Sequence, residues 1–456
     1  MASGYVITVI LARTLGPAAY GTYGVVMSML LWFEVLSGFG LPRAAARLIP
    51  ESKDPDAVIQ ATLAMLLTAG CVLFVACWLC APAIAELFEI ENGAKYFRLA
   101  VIDLPFNGLY IAYQGMLMGQ RRFAVFSAMF VVYSLTKVGG ILVLLVIGLS
   151  IEAALIVNVL ATVGALLYIF AKAPVRLAFP DRKLLRSMLR IAAPLAVFVV
   201  TMQFVLSAHL WILQRVSSVS AETIGFYVAA LSIAQLPSIV PAALTSVLLS
   251  SVALAFAKND FSLAQRYVVG AGRFVIVVLA PVCVLGGLHA TPLMSLIFSD
   301  AYIEGGPFLS ILLVGFGLFA LLDTLLHALI GADRHNLASA TMLALTPVTL
   351  LACIGLIFLW GPMGAATAFV TVLALGVIVA VIWTYRRFQI FPVKFGTLLR
   401  VTVAIAITSV LGMKINMVGI WVLLELAVLT LIYLLILAAL RELRPEDLKP
   451  FAIWKK

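Results

Sequence analysis

Long apolar runs, broken only by short charged clusters, constrain this chain more than any other feature. Residues 401–413 carry no charge, 421–440 carry a single one (Glu425), and similar runs recur along all 456 residues. A helix that crosses a bilayer needs about 20 mostly apolar residues, whereas barrel strands are shorter and alternate polar with apolar. The runs here do not alternate, so the expected fold is an all-α polytopic membrane protein. Composition agrees. Apolar residues make up 64% and charged residues 11%. A soluble domain averages about 45–50% and about 25%. So little polar surface cannot cover a water-soluble globule, which excludes a soluble enzyme, a disordered chain and a DNA-binding domain.

Gly, Pro and charge clusters cut the chain into fourteen segments: 3–14, 20–41, 58–82, 95–118, 124–148, 151–172, 190–213, 222–252, 267–289, 306–330, 337–360, 363–384, 398–415 and 418–440. The first is short for a full crossing. Either the sequence starts late or the first helix enters the membrane only partway. Its apolar start has no basic region before it, so no cleavable signal peptide is expected. Loop charge tests the count. With the N-terminus inside, twenty-four of the thirty Lys and Arg fall in loops or toward span ends on the cytoplasmic side and five on the other, with Lys137 deep inside the membrane. That sorting is the positive-inside rule. It explains the net charge of +10 without a nucleic-acid partner.

The chain also repeats. Leu11-Ala12-Arg13 followed by Tyr20-Gly21-Thr22-Tyr23 has a counterpart in Leu213-Gln214-Arg215 followed by Ile224-Gly225-Phe226-Tyr227. Gly119-Gln120-Arg121-Arg122 after span 4 has one in Gly331-Ala332-Asp333-Arg334 after span 10. Each repeat holds six helices, and an even number preserves orientation. The expected organisation is an N-lobe (1–172, spans 1–6), a cytoplasmic amphipathic linker (173–189) and a C-lobe (190–384, spans 7–12). Two appended spans (385–440) and a cytoplasmic tail (441–456) follow. The two lobes run parallel.

Several stretches resemble a known family. They are Leu11-Ala12-Arg13-Thr14-Leu15-Gly16-Pro17-Ala18-Ala19-Tyr20-Gly21, Gly38-Phe39-Gly40-Leu41-Pro42-Arg43, Gln114-Gly115-Met116-Leu117-Met118-Gly119-Gln120-Arg121-Arg122-Phe123 and residues 222–230. They are similar to the polysaccharide transport family, the Wzx-like O-antigen and exopolysaccharide flippases. That family sits within the multidrug/oligosaccharidyl-lipid/polysaccharide exporter superfamily. The resemblance implies two six-helix lobes around a central cavity in a bacterial inner membrane, with both termini cytoplasmic. It implies alternating access that turns an undecaprenyl-diphosphate-linked oligosaccharide to the outer leaflet, for lipopolysaccharide or exopolysaccharide synthesis. In lipid II flippases helices 13 and 14 form a groove for the lipid tail. This chain departs from the pattern in its short first span and in having no further basic residues there.

Few residues could carry chemistry. The four histidines are scattered, no P-loop occurs, and Cys77 and Cys80 form a CxxC with no histidine nearby. No enzyme, cofactor or metal is therefore expected. An ionisable group in mid-bilayer costs roughly 2.5–3.5 kcal/mol on insertion scales and usually faces a cavity or a partner. Glu34, Asp103, Asp323 and His327 are candidates for proton or cation coupling, the last two at i, i+4 on one helix face. The alternative for each is a structural pair. Arg13, Arg43, Asn107, Lys137, His209 and Arg215 are candidates for substrate contact. Lys137 either meets a diphosphate or pairs with Asp103 or Glu34. Arg13 and Arg215 either receive phosphate or anchor at the interface. Asn107 either lines a hydrated patch or satisfies a carbonyl freed by Pro105. Trp32, Phe33, Tyr110, Tyr113, Phe204 and Trp211 either stack on sugars or simply pack.

The partners expected are a lipid-linked oligosaccharide, membrane lipids, and a polymerase or glycosyltransferases of the same pathway. Two other readings stay open: a multidrug-type antiporter, and a membrane component of a polysaccharide assembly complex.

Overall fold

A computed structural model describes residues 2–175, 181–216, 219–415 and 417–443. All regular structure among them is helical. In order the helices are α1 (Ala2–Gly38), α2 (Leu41–Glu51), α3 (Pro55–Leu87), α4 (Gly93–Val101), α5 (Asp103–Gly119), α6 (Phe123–Ile147), α7 (Ile151–Lys172), α8 (Arg182–Arg215) and α9 (Ala221–Ala234). They continue with α10 (Ile239–Ala257), α11 (Phe261–Leu288), α12 (Ala290–Ile297), α13 (Gly306–Gly331), α14 (His335–Trp360), α15 (Pro362–Phe388), α16 (Phe395–Gly412) and α17 (Trp421–Ala439).

Twelve runs among the described residues are long and apolar enough to cross a membrane. One of them, Gly4–Glu51, contains both of the first two expected spans, which meet at Gly16 with φ 76° and ψ 169°. That left-handed φ suits glycine, and Pro17 then opens the next helix. The fourth expected span is α4 plus α5, interrupted at Ile102, so neither piece reaches the length of a crossing. All fourteen expected segments thus have a helical counterpart. Asp54, Ser150 and Asp260 cap α3, α7 and α11 through side-chain oxygens that accept backbone N–H groups at 2.9–3.2 Å. Each satisfies a donor that the helix start leaves over. At Pro237 the eighth span tightens into a 3₁₀ turn, Leu236–Ser238, between α9 and α10. Of the expected linker, residues 182–189 are the opening turns of α8, and 176–180 lie outside the described residues. So does the expected tail from residue 444 onward.

The chain packs as two compact units. One is Met1–Val228 with Met342–Gly355; the other is Ala229–Thr341 with Leu356–Lys456. In the first unit, α2, α3, α5 and α7 share a core that includes Leu41, Ile59, Leu66, Tyr113, Met116, Leu166 and Ile169. Small residues let the backbones approach closely, as expected where lipid removes any hydrophobic drive between helices. A Cβ on Gly225 would lie 1.9 Å from the Pro17 carbonyl oxygen, and one on Gly108 would lie 2.4 Å from that of Leu66.

In the second unit, α13 is buried along most of its length and packs against α10, α11 and α15. The C-terminal pair α16 and α17 docks on α11 through Val401, Ala404, Tyr433 and Leu437. Tyr433 donates to the Val277 carbonyl at 3.0 Å. Just past α17 the buried Glu442 takes three partners. Arg273 Nε reaches Oε1 at 2.8 Å, Thr397 donates to Oε1 at 2.8 Å and Arg400 reaches Oε2 at 2.6 Å. Burial alone would raise the Glu442 pKa. The hydrogen bonds from Arg400, Thr397 and Arg273, with the Arg273 charge, outweigh it and hold the carboxyl below its ordinary range.

Gly225→Val is expected to destabilise by about 1–3 kcal/mol through overpacking, read as a lower unfolding midpoint in detergent. Gly139→Ala, where a Cβ would meet nothing within 4 Å, serves as the neutral comparison. An unchanged midpoint for Gly225→Val would sink the close approach. Because the folded pKa of Glu442 is depressed, its stabilisation is present above the unfolded carboxylate value of about 4.3. It is lost as pH falls through the folded value. Glu442→Gln should therefore lower stability at neutral pH and flatten its decline below about pH 4.3. Parallel pH profiles for the two proteins would refute the clamp.

Candidate functional site

Four helices of the first unit bring a polar cluster together inside the apolar bundle. Glu34 comes from α1, Asp103 from the first turn of α5, Tyr133 and Lys137 from one face of α6, and Asn158 and Thr162 from α7. Asp103 and Asn158 are 2% and 3% exposed. Lys137 Nζ donates to Asn158 Oδ1 at 2.5 Å and to the Tyr133 hydroxyl at 3.3 Å. Asn158 Nδ2 donates to Asp103 Oδ2 at 3.3 Å. The Lys137 ammonium lies 5.5 Å from the centre of the Tyr133 ring, within range of a cation–π contact. The Glu34 carboxyl lies within hydrogen-bonding reach of Asp103.

The cluster is ordered by an amide. Lys137 pairs directly with neither carboxyl; Asn158 stands between, accepting from the ammonium on one side and donating to Asp103 on the other. Two carboxyls against one ammonium leave a deficit of one positive charge. A proton or a monovalent cation would make it up. Burying an unbalanced charge is expensive, so a cluster with this deficit is a candidate for taking up a proton or a cation.

Sequence reasoning found Glu34, Asp103 and Lys137 but missed Asn158 and Tyr133. Asn158 had one signal: an uncharged amide inside the apolar run of span 6. Tyr133 had another, lying one turn from Lys137. Asn107, a turn beyond Asp103, is buried on the same helix.

The other candidates lie apart from this cluster. Arg13 and Arg43 are exposed on α1 and α2. Arg215, at the end of α8, pairs with Glu89 on the surface. His209 is fully buried, with its Nδ1 2.7 Å from the Tyr227 hydroxyl. Asp323 and His327 form the expected i, i+4 pair in the second unit, Oδ1 to Nδ1 at 3.1 Å, and His327 Nδ1 also lies 2.9 Å from the Asp323 carbonyl. Glu425, a further intramembrane carboxyl, meets His289 Nε2 at 2.9 Å and the Met417 N–H at 3.2 Å.

A second feature of the first unit is aromatic. Trp32 on α1 meets Trp211 on α8 edge-on at 5.8 Å, and Phe204 lies 6.5 Å from Trp32 and 5.8 Å from Trp211. Trp211 donates to Ser28 Oγ at 2.9 Å. Trp32 Nε1 is buried without an acceptor among the described residues.

Architecture and site together define a multi-pass membrane protein with a charge-deficient polar cluster between its helices. A family model described as "Polysaccharide biosynthesis protein" matches residues 1–249, and the chain belongs to that family. No match was found among curated proteins. Among solved structures, the fold is similar to that of the lipid II flippase MurJ in an inward closed conformation. The TM-score is 0.81 at 14% identity, covering 97% of each chain. It is similar also to an inward-facing multidrug resistance MATE transporter of the MOP superfamily. There the TM-score is 0.74 at 15% identity, covering 85% of this chain and 95% of that one. A MOP superfamily transporter from Pyrococcus furiosus aligns with TM-score 0.62 at 16% identity, over 85% of this chain and 92% of that one.

Asn158→Leu removes both halves of the bridge and leaves Lys137 and Asp103 without their shared partner. A stability loss of about 1–3 kcal/mol is expected, measured by thermal unfolding in detergent. Asn158→Gln, which keeps both an amide acceptor for Lys137 and an amide donor for Asp103, should recover part of it. Equal stability of parent and Asn158→Leu would mean the bridge does not form.

Proposed function

We propose that this protein is a flippase. It moves a polyprenyl-diphosphate-linked oligosaccharide across the bacterial inner membrane by alternating access, for surface polysaccharide synthesis, and makes or breaks no covalent bond. One observation carries the reading: a flippase fold extends over 97% of the chain. MATE transporter folds cover 84–90% of the chain. Membership of the polysaccharide biosynthesis family supports the saccharide part of the substrate.

Roles follow from chemistry. Glu34 and Asp103 share the missing positive charge, as a proton or a cation, and so couple transport to an ion gradient. Lys137 tunes that exchange through Asn158. The face formed by Trp32, Phe204 and Trp211 suits a sugar ring, and the unsatisfied Trp32 N–H offers a donor to a sugar hydroxyl. Arg13, Arg43 and Arg215 are exposed cations able to meet the diphosphate at either side. Asp323 with His327 is a second coupling candidate, and Asn107 and His209 complete the candidate set. The two repeats act as the moving lobes, and the charge sorting of the loops supports a cytoplasmic location for both termini. A polymerase and glycosyltransferases of the same pathway would consume and supply the substrate.

The test is reconstitution. Proteoliposomes carrying a fluorescent polyprenyl-diphosphate sugar should show protein-dependent transfer to the other leaflet. Glu34→Gln and Asp103→Asn should each slow it by roughly tenfold or more, about 1.4 kcal/mol on the barrier. Deletion of the gene should leave lipid-linked saccharide in the inner leaflet. Normal surface polymer in the deletion strain, with altered drug resistance instead, would favour the multidrug-type antiporter. Sugar transfer by the purified protein would replace both readings with an assembly enzyme.

A further inference from the structure

The second unit holds a cavity of about 770 Å³ where α11 and α16 begin and the chain leaves α17. Arg266, Arg273, Lys394, Arg400 and Arg441 line it, and Glu442 is the carboxylate among the lining residues. Glu442 is already engaged by Arg273 and Arg400, which together form a cationic floor. Arg266, Lys394 and Arg441 are exposed and make no ion pair among the described residues. Asp260 caps α11 and interacts with Arg266 only at longer range than an ion pair. The starts of α11 and α16 add a positive field at this spot, against the negative one at the end of α17. The cavity therefore has an excess of cations, three of them unclaimed.

What surrounds it is apolar and exposed. Phe391, Phe395, Leu399 and Val403 are 62%, 78%, 56% and 40% exposed, and the last three recur every four residues along one face of α16, which begins at the cavity. That helix is long and apolar enough to span the membrane, so the cavity opens at its end, where headgroups lie. A phosphate in the cavity and acyl chains along α16 would satisfy both surfaces at once.

We infer that this cavity seats the phosphodiester headgroup of an anionic membrane lipid, with its acyl chains laid along α16. Basic pockets between membrane helices bind anionic headgroups in this way. The assignment is independent of what the protein transports. Arg266, Lys394 and Arg441 hold the phosphate; Glu442 positions Arg273 and Arg400 beneath it.

The full chain, placed in nanodiscs of phosphatidylcholine with added phosphatidylglycerol or cardiolipin, should retain the anionic lipid when examined by native mass spectrometry. Arg266→Ala/Lys394→Ala/Arg441→Ala should weaken retention by about a hundredfold. The charge-conserving Arg266→Lys/Lys394→Arg/Arg441→Lys should keep most of it. Arg182→Ala/Lys183→Ala/Arg186→Ala, which removes the same charge from the start of α8, should change nothing. An equal loss in that comparison variant would reduce the effect to bulk charge and overturn the site. Displacement of the lipid by millimolar inorganic phosphate would assign the cavity to a soluble anion and overturn the lipid.

Discussion

Inside a bilayer there is no water to accept what the protein leaves unpaired, and the rest of this structure follows from that. Backbone groups must be satisfied within each segment, so every described span is a helix. Hydroxyls obey the same rule. Thr62, Thr324, Thr349 and Thr408 each donate to the carbonyl four residues back, at 2.7–2.9 Å. With no hydrophobic drive to bring helices together, close approach comes from glycine, as where Gly225 meets the Pro17 carbonyl. Where a charge is buried, it has a named reason.

Much of this was legible in the sequence because the cost of polarity at depth writes itself into composition. The fourteen apolar segments and their breaks at Gly16-Pro17 and Pro237 could be read directly. So could Glu34, Asp103 and Lys137, since a charge inside an apolar run stands out. The partners could not. Asn158 carries no charge, and nothing local says that it will stand between Lys137 and Asp103, 21 and 55 residues away. The clamp on Glu442 was hidden for a different reason. It lies just past the last span and draws on Arg273, 169 residues earlier. Arg273, toward the start of α11, looks in the sequence like a topology signal, and only packing reveals that it is a staple. Ile102, which divides the fourth span, had no signature beyond the Pro105 nearby.

The two charged clusters then differ in a way that bears on function. Around Glu442 one carboxylate meets two guanidinium groups and a hydroxyl, so the carboxylate is fully claimed. Such an arrangement resists change, and it sits where the appended helices need anchoring to α11. Around Asp103 the sign is reversed. Two carboxyls share one ammonium, and that ammonium is held off by an amide.

An amide spacer has a consequence that a direct ion pair lacks. A tight Lys–Asp pair in a low-dielectric interior would be worth so much that neither partner could change state without several kcal/mol of penalty. Asn158 weakens that bond while keeping both groups oriented, since its oxygen and its N–H₂ serve opposite partners. On the proposed reading, the carboxyl pair takes up and releases one positive charge, and Lys137 keeps the cluster from collecting two. A transporter driven by an ion gradient requires a site that is stable both occupied and vacant. On that reading, the buried ion pair at Glu442 anchors the appended helices, and the amide-spaced cluster at Asp103 lies in the bundle that is proposed to move.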